Sequence, residues 1–379
     1  MRRAAAWIGA LAAMGVAAAA RADGPDPPAL RDTQTPAGGQ PVEPRPPTQT
    51  PPTSWFVVPS LFYLPETGLG LALAGGLHFT LPRAPEPSNV HAALIYTTQN
   101  QASVDLSTHL VTGGRLVLDG SVRFSRYPDV FFGIGPTTPE SAAEDFTSRY
   151  AEALLGCGFR VGPHGFRVGP QIHLRTERIV KAQAGGLIAT GAVPGATGNA
   201  EMGLGVDAVL DTRDDPYQPA SGRYVEGWYL LYPDGLAAGT FGRGAADYRQ
   251  FVSLGHDQVL ATDVYLEGAH GNVPFTLLPK LGGDRFLRGF RAGRYRDNVM
   301  YVAQAEYRFP IAWRFRGAAF LGFGGVGSSV GNVFHEPVRV GGGAGLRFRI
   351  TEDRVNIRVD LAWGEKAAPD VYAIILEAY

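Results

Sequence analysis

The chain has one cysteine, Cys157, in 379 residues, so no disulfide forms within it. Leu154, Leu155 and Phe159 around it mark a buried or lipid-facing structural thiol, and no His/Asn context suits a catalytic one. Beyond the N-terminus no segment approaches twenty consecutive apolar residues, which excludes a later transmembrane helix. An excess of either charge is missing too. Lys and Arg total 34 against 35 Asp and Glu, a net charge of −1, so there is no basic footprint for nucleic acid. His91, His109, His164, His173, His256, His270 and His335 are scattered, and His256-Asp257 adjoins an expected turn. This dispersal argues against a hydrolase and gives no catalytic residue. Asp211-Thr212-Arg213-Asp214-Asp215-Pro216 is acidic, but a hard-cation site needs more oxygen ligands at regular spacing. It reads as a turn with Asx-type hydrogen bonds. No metal and no cofactor are expected.

What is present begins with Met1-Arg2-Arg3, an apolar run from Ala4 to Ala20, and Ala20-Arg21-Ala22. That is the pattern of a cleaved signal peptide over residues 1–22. Residues 23–53 are rich in proline with Thr, Gln and Gly. They hold too little apolar surface to offset ordering entropy and read as a disordered periplasmic linker. Residues 54–379 form one block without an internal linker.

That block alternates with period two. Ser103, Asp105, Ser107 and His109 alternate with Val104, Leu106, Thr108 and Leu110. Asn356, Arg358 and Asp360 alternate with Val355, Ile357, Val359 and Leu361. Arg347 and Arg349 alternate with Leu346, Phe348 and Ile350. Exported, apolar on one face and free of long apolar helices, such a chain crosses a membrane as a closed ring of strands. Sixteen candidate strands are expected, near 55–63, 69–80, 89–98, 102–110, 115–126, 147–160, 165–180, 200–211, 222–232, 242–253, 259–270, 299–309, 315–326, 339–350, 354–363 and 371–379. The expected fold is all-β, a 16-stranded antiparallel transmembrane barrel. Counted from a periplasmic N-terminus, the long gaps at 127–146, 181–199 and 271–298 are extracellular loops. Trp55, Phe62, Tyr63, Phe79, Tyr127, Phe131, Phe132, Tyr232, Trp313, Trp363 and Tyr372 sit at strand ends, as interfacial girdles require.

The longest of these loops carries Leu281-Gly282-Gly283 and Leu287-Arg288-Gly289-Phe290. A strand follows with Glu306 and Arg308 on one face and Tyr307 and Phe309 on the other. An arginine brought into a partly dehydrated lumen needs a carboxylate partner, and an Arg–carboxylate pair is geometrically selective. Gly282, Gly283 and Gly289 allow positive φ and close backbone approach.

These segments, with Glu306-Tyr307-Arg308-Phe309-Pro310 and the hairpin within Leu204–Tyr224, resemble the Omp85 superfamily, specifically its bacterial surface antigen (D15) barrels of the BamA and TamA type. Pro59–Gly70 and Tyr127–Thr138 resemble the subgroup with little or no periplasmic POTRA domain. The resemblance implies an outer-membrane protein acting in barrel assembly or translocation, with unfolded barrels or secreted proteins as clients and the lipid bilayer as its surroundings. It implies that the loop folds into the lumen and that Arg288 meets Glu306. Phe320 matches the family's aromatic on the next strand, whereas Gly322 stands where an Asp is common, so half of the acidic receptor is expected to be missing. The family's seam between first and last strands falls here at Tyr379, with Gly364 expected to loosen it. The competing reading is a passive pore or structural surface antigen.

Overall fold

The computed structural model describes residues 53–84, 87–162, 165–215, 218–349 and 356–375. The expected signal peptide, the linker up to residue 52, His164, Pro216 and the Tyr379 seam lie outside the described residues.

Strands β1 (Ser54–Leu64), β2 (Gly68–Phe79), β3 (Ser88–Thr97), β4 (Ala102–Val111), β5 (Leu116–Phe131), β6 (Glu144–Val161), β7 (Phe166–Ala182), β8 (Gly198–Asp211), β9 (Gly222–Tyr232), β10 (Phe241–Gly255) and β11 (Gln258–Gly271) run in order. A two-residue pair, β12 (Lys280–Leu281) and β13 (Tyr295–Arg296), lies within the long loop. Then come β14 (Val299–Ala312), β15 (Phe315–Gly327), β16 (Arg339–Arg349), β17 (Asn356–Trp363) and β18 (Asp370–Ile375). Sixteen of these close into one antiparallel barrel, with β11 passing directly to β14 and β18 returning to β1 at Tyr63↔Ala373. Around the rest of the ring each strand is paired along its length, as a membrane-spanning sheet requires. At the β1–β18 seam, Tyr63↔Ala373 is the one pair among the described residues, so backbone groups of β1 are left for another strand to pair with.

The alternation places polar residues inward. On β4, Val104 and Leu106 are exposed while Asp105 and His109 are buried. The outer wall is studded with exposed Leu61, Leu71, Leu94, Phe124, Leu155, Val264, Leu321 and Leu361. So much exposed apolar surface belongs against lipid rather than water. Cys157 is half-buried, on the same face as the exposed Leu155 and Phe159. Strands β5, β6 and β7, of 16, 18 and 17 residues, exceed the roughly 9–11 residues that cross a bilayer. Their surplus carries loops 132–143 and 183–197.

One expectation needs correction. Trp55, Tyr63, Trp313 and Trp363 do face outward, but Phe62, Tyr127, Phe131, Phe132, Tyr232 and Tyr372 are buried in the interior. Large rings and the long loop occupy much of the lumen that these residues line. At the loop end, Phe131, Phe146, Ile188, Val193 and Phe275 form one apolar cluster. Gly135 bridges to Arg296 and Phe275 N donates to Pro194 O, so three long loops interlock there.

Candidate functional site: the loop inside the barrel

The connection from β11 to β14 turns into the lumen. Leu281, Leu287, Phe290 and Tyr295 pack with Tyr265, Met300, Val302 and Val326 of the wall. Gly282 has φ +112 and Gly289 φ +95, a region that side chains disfavour. A Cβ at Gly289 would lie 2.6 Å from the backbone of Trp363. Leu287, at φ 123, is a non-glycine residue held in the same region and is fully buried. Such backbone strain persists only where surrounding contacts over-determine it.

Arg288 is 2% exposed, and Glu306 and Asp360 are 0% exposed. Arg288 Nη2 donates to Glu306 Oε2 at 2.7 Å and Nη1 to Asp360 Oδ2 at 2.5 Å. Its guanidinium lies 3.4 Å from the centroid of the Phe320 ring. Glu306 also takes Arg308 Nε at 2.8 Å and faces Arg347 Nη2 at 3.2 Å, while Arg347 Nη1 donates to the other Asp360 oxygen. Arg358 Nη2 donates to Asp284 of the loop at 3.2 Å. This is a dehydrated, charge-assisted network whose parts are costly to leave unmatched.

The expected lack of a second acid is therefore corrected: Asp360 of β17 supplies it. Gly322 has a different use. A Cβ there would lie 3.1 Å from Leu287 Cδ1, and one at Gly324 would lie 3.0 Å from Leu281 Cδ1. A side chain at Gly341 would run into the Arg288 carbonyl, and one at Gly345 into Asp360 Oδ1. The glycines of β15 and β16 form a trough in which the loop backbone lies, so Arg288 reaches across to β17. Gly364 is also reassigned. It follows β17 and packs on the loop, since a Cβ there would lie 2.6 Å from Gly289 O; it does not sit at the seam.

Further anchors spread around the barrel. Thr276 Oγ1 donates to Glu177 Oε2 of β7 at 2.6 Å, and Arg285 Nη2 to Asp247 Oδ2 of β10 at 2.7 Å. Arg291 lies 3.5 Å from Asp129 of β5. Arg294 donates to Glu365 and to both Thr138 oxygens. Lys280 pairs with Arg296, and Gly283 N donates to Phe290 O, so the two glycines at 282–283 begin an internally bonded turn.

Elsewhere, Asp214 Oδ1 accepts Ala220 N and Ser221 N, and Asp215 Oδ1 accepts Gln218 N, which are turn contacts. Among the described residues no group of three or more His, Cys, Asp or Glu could hold a metal. His256 and Asp257, both at positive φ, form the two-residue turn between β10 and β11. Two features escape the sequence reading. His78, diagonal to His91 across β2 and β3, makes an Nε2···Nε2 contact of 2.9 Å on the lumen wall. Gly327-Ser328-Ser329-Val330-Gly331 also spells G-x-S-x-G, the pattern of a hydrolase nucleophile turn. Ser329 has extended backbone (φ −158), and its hydroxyl accepts Asn332 N to cap a single helical turn, Val330–Val333. It is a helix cap, without the strained backbone of a nucleophile elbow.

In structural comparison the chain resembles BamA from Haemophilus ducreyi lacking POTRA domains 1–3, with TM-score 0.59 and 15% identity over 86% of this chain and 74% of that one. It resembles CdiB from Acinetobacter baumannii (TM-score 0.53, 14% identity, 86% and 59% covered) and CdiB from Escherichia coli (0.55, 13%, 86% and 68%). The chain thus spans 59% of the Acinetobacter protein's length. At these identities the likeness is one of fold. A search of curated proteins gave no match. The Omp85 superfamily domain model matches residues 88–372, which include the intraluminal loop and the wall strands it grips, and the chain belongs to that superfamily of outer-membrane β-barrels.

Proposed function

We propose that this barrel acts in the insertion or translocation of client proteins at the outer membrane, without covalent catalysis, and that its intraluminal loop is a latch holding the barrel in its working shape. The observation that carries the reading is the superfamily match over 88–372. In this proposal Arg288, Gly289 and Phe290 form the bolt, Glu306, Asp360 and Phe320 the receptor, and Gly282 and Gly283 the hinge of the turn. Clients are unfolded barrels or secreted chains, and the lipid bilayer surrounds the barrel. The first–last strand seam near Tyr379 serves as a strand-pairing template, because an exposed edge offers unpaired backbone groups.

The test is reconstitution in liposomes followed by the folding of a small barrel client. Acceleration over empty liposomes supports the proposal; equal rates count against it. A passive pore is separated by planar-bilayer conductance of the wild type and Arg288→Ala. The interlocked loops and the loop packed inside the barrel favour low conductance in the wild type. A large steady conductance there returns the pore reading to first place.

A further inference from the structure

The loop's bonds are unevenly shared among the strands it touches. Toward β14 two bonds hold it, Arg288 to the carboxylate of Glu306 and Gln304 Nε2 to the Arg285 carbonyl at 2.7 Å, fewer than it makes with the last hairpin. Toward the last hairpin the loop uses backbone as well as side chains. Asp360 and Tyr372 are direct cross-strand partners on β17 and β18. Arg288 takes the first, and Gly289 N donates to the hydroxyl of the second at 3.0 Å. One loop dipeptide therefore grips both sides of one rung. Above it, Glu365 N donates to Gly289 O at 3.1 Å, and Glu365 Oε1 accepts Arg294 Nε at 2.7 Å and Tyr295 OH at 3.1 Å. Gly289 and Gly364 meet so closely that a Cβ on either would collide with the other's chain segment.

We infer that the loop and the closing hairpin β17–β18 are held as one unit, so that β18 keeps its place beside β1 only while the loop is seated. This rests on the latch reading but not on the client role. Tyr372, Glu365 and Gly364 become the positioning residues of barrel closure. Coupling of this kind is reciprocal: what loosens the loop loosens the hairpin, and the converse holds to the same degree. A loop tied chiefly to β14 would show no such reciprocity.

Hydrogen exchange of the full chain in lipid nanodiscs, read by peptide, tests this without any client. Tyr372→Phe removes one hydroxyl from the hairpin, and Gly364→Ala pushes on the loop from the hairpin side. Each is expected to speed exchange about fivefold or more, the effect of one lost hydrogen bond, in both residues 283–295 and residues 356–375. Peptides of β5–β7 should be unchanged. Acceleration confined to the loop or to the hairpin overturns the inference. So does no change in either, or equal acceleration in β5–β7, which would mean general weakening. Insertion assays are unaffected by this readout, so failure of the client proposal and failure of the coupling remain distinguishable.

Discussion

Two lumen arginines, each between two carboxylates, are held in different ways. Arg175 on β7 meets Glu152 at 2.9 Å and Glu177 at 3.2 Å and lies 4.1 Å over the Tyr150 ring. Glu152 is its direct cross-strand partner and Glu177 is two residues along the same strand. The ladder has already placed all three, so the ion pairs add to an arrangement that strand pairing fixes. Arg288 has no place in the barrel ladder. Its partners are on β14 and β17, which β15 and β16 separate. Its contacts must also offset the ordering of a long loop, a cost of roughly 1–2 kcal/mol per backbone residue. Wall pairs decorate the barrel, whereas the loop pair braces it across its section.

The largest expected effect follows from removing each arginine. Arg288→Ala leaves Glu306 and Asp360 with less compensation and frees the loop. It should cost about 4 kcal/mol, within the range for breaking a buried pair. Arg175→Ala should cost about half of that, because Glu152 keeps His173 Nε2 at 2.9 Å and Glu177 keeps Thr276. Urea titration in lipid vesicles, read by the shifted gel mobility of the unheated folded form, measures both. Equal losses would erase the distinction between brace and decoration.

Sterics sharpen the comparison without touching charge. Gly341→Ala places a methyl against the Arg288 carbonyl and should cost about 2 kcal/mol by overpacking. Gly156→Ala on the opposite wall meets nothing nearer than 3.9 Å and should be close to neutral. A neutral Gly341→Ala would mean that the loop does not lie in the glycine trough.

The same contrast explains what the sequence made legible. Strand positions followed from alternation, because a period of two is a local property: candidate strands at 222–232 and 315–326 lie within a residue of β9 and β15. The pairing of Arg288 with Glu306 came from the family resemblance, whose motifs are short and local: the loop tripeptide and the strand that follows it. Asp360 was visible as a lumen-facing residue of its strand but not as a partner, since its meeting with Arg288 depends on barrel curvature and on the depth to which Gly322 and Gly341 admit the loop. Tyr372 was misplaced for a related reason. A ring near a strand end reads alike whether it points to lipid or lumen, and only the register of β17 with β18 decides.

A smaller effect lies in the coupling between sites. Arg288→Ala and Glu306→Gln should be non-additive by about 1.5 kcal/mol in the double variant, as expected of residues in one network. Arg175→Ala combined with Glu306→Gln should add within about 0.5 kcal/mol, because those two share no partner. Additivity in the first pair would mean that Arg288 and Glu306 do not meet in the membrane.

The smallest effect tests the joint between the two regions. Thr276 of the loop donates at 2.6 Å to Glu177, and the same carboxylate holds Arg175 of the wall. Thr276→Val keeps the shape and removes the hydroxyl, the loop's bond to β7. A hydrogen bond to a charged group contributes about 1.5 kcal/mol or more, but here Glu177 retains Arg175 and is not stranded, so the loss should be about 1 kcal/mol. Because the remaining anchors, Arg285 on Asp247 and Arg288 on Glu306 and Asp360, are untouched, the loop should stay seated. Exchange should rise only around residue 276. If Thr276→Val instead destabilised the barrel as much as Arg288→Ala, the loop would be held by the wall network, and the arginine brace would be one anchor among equals.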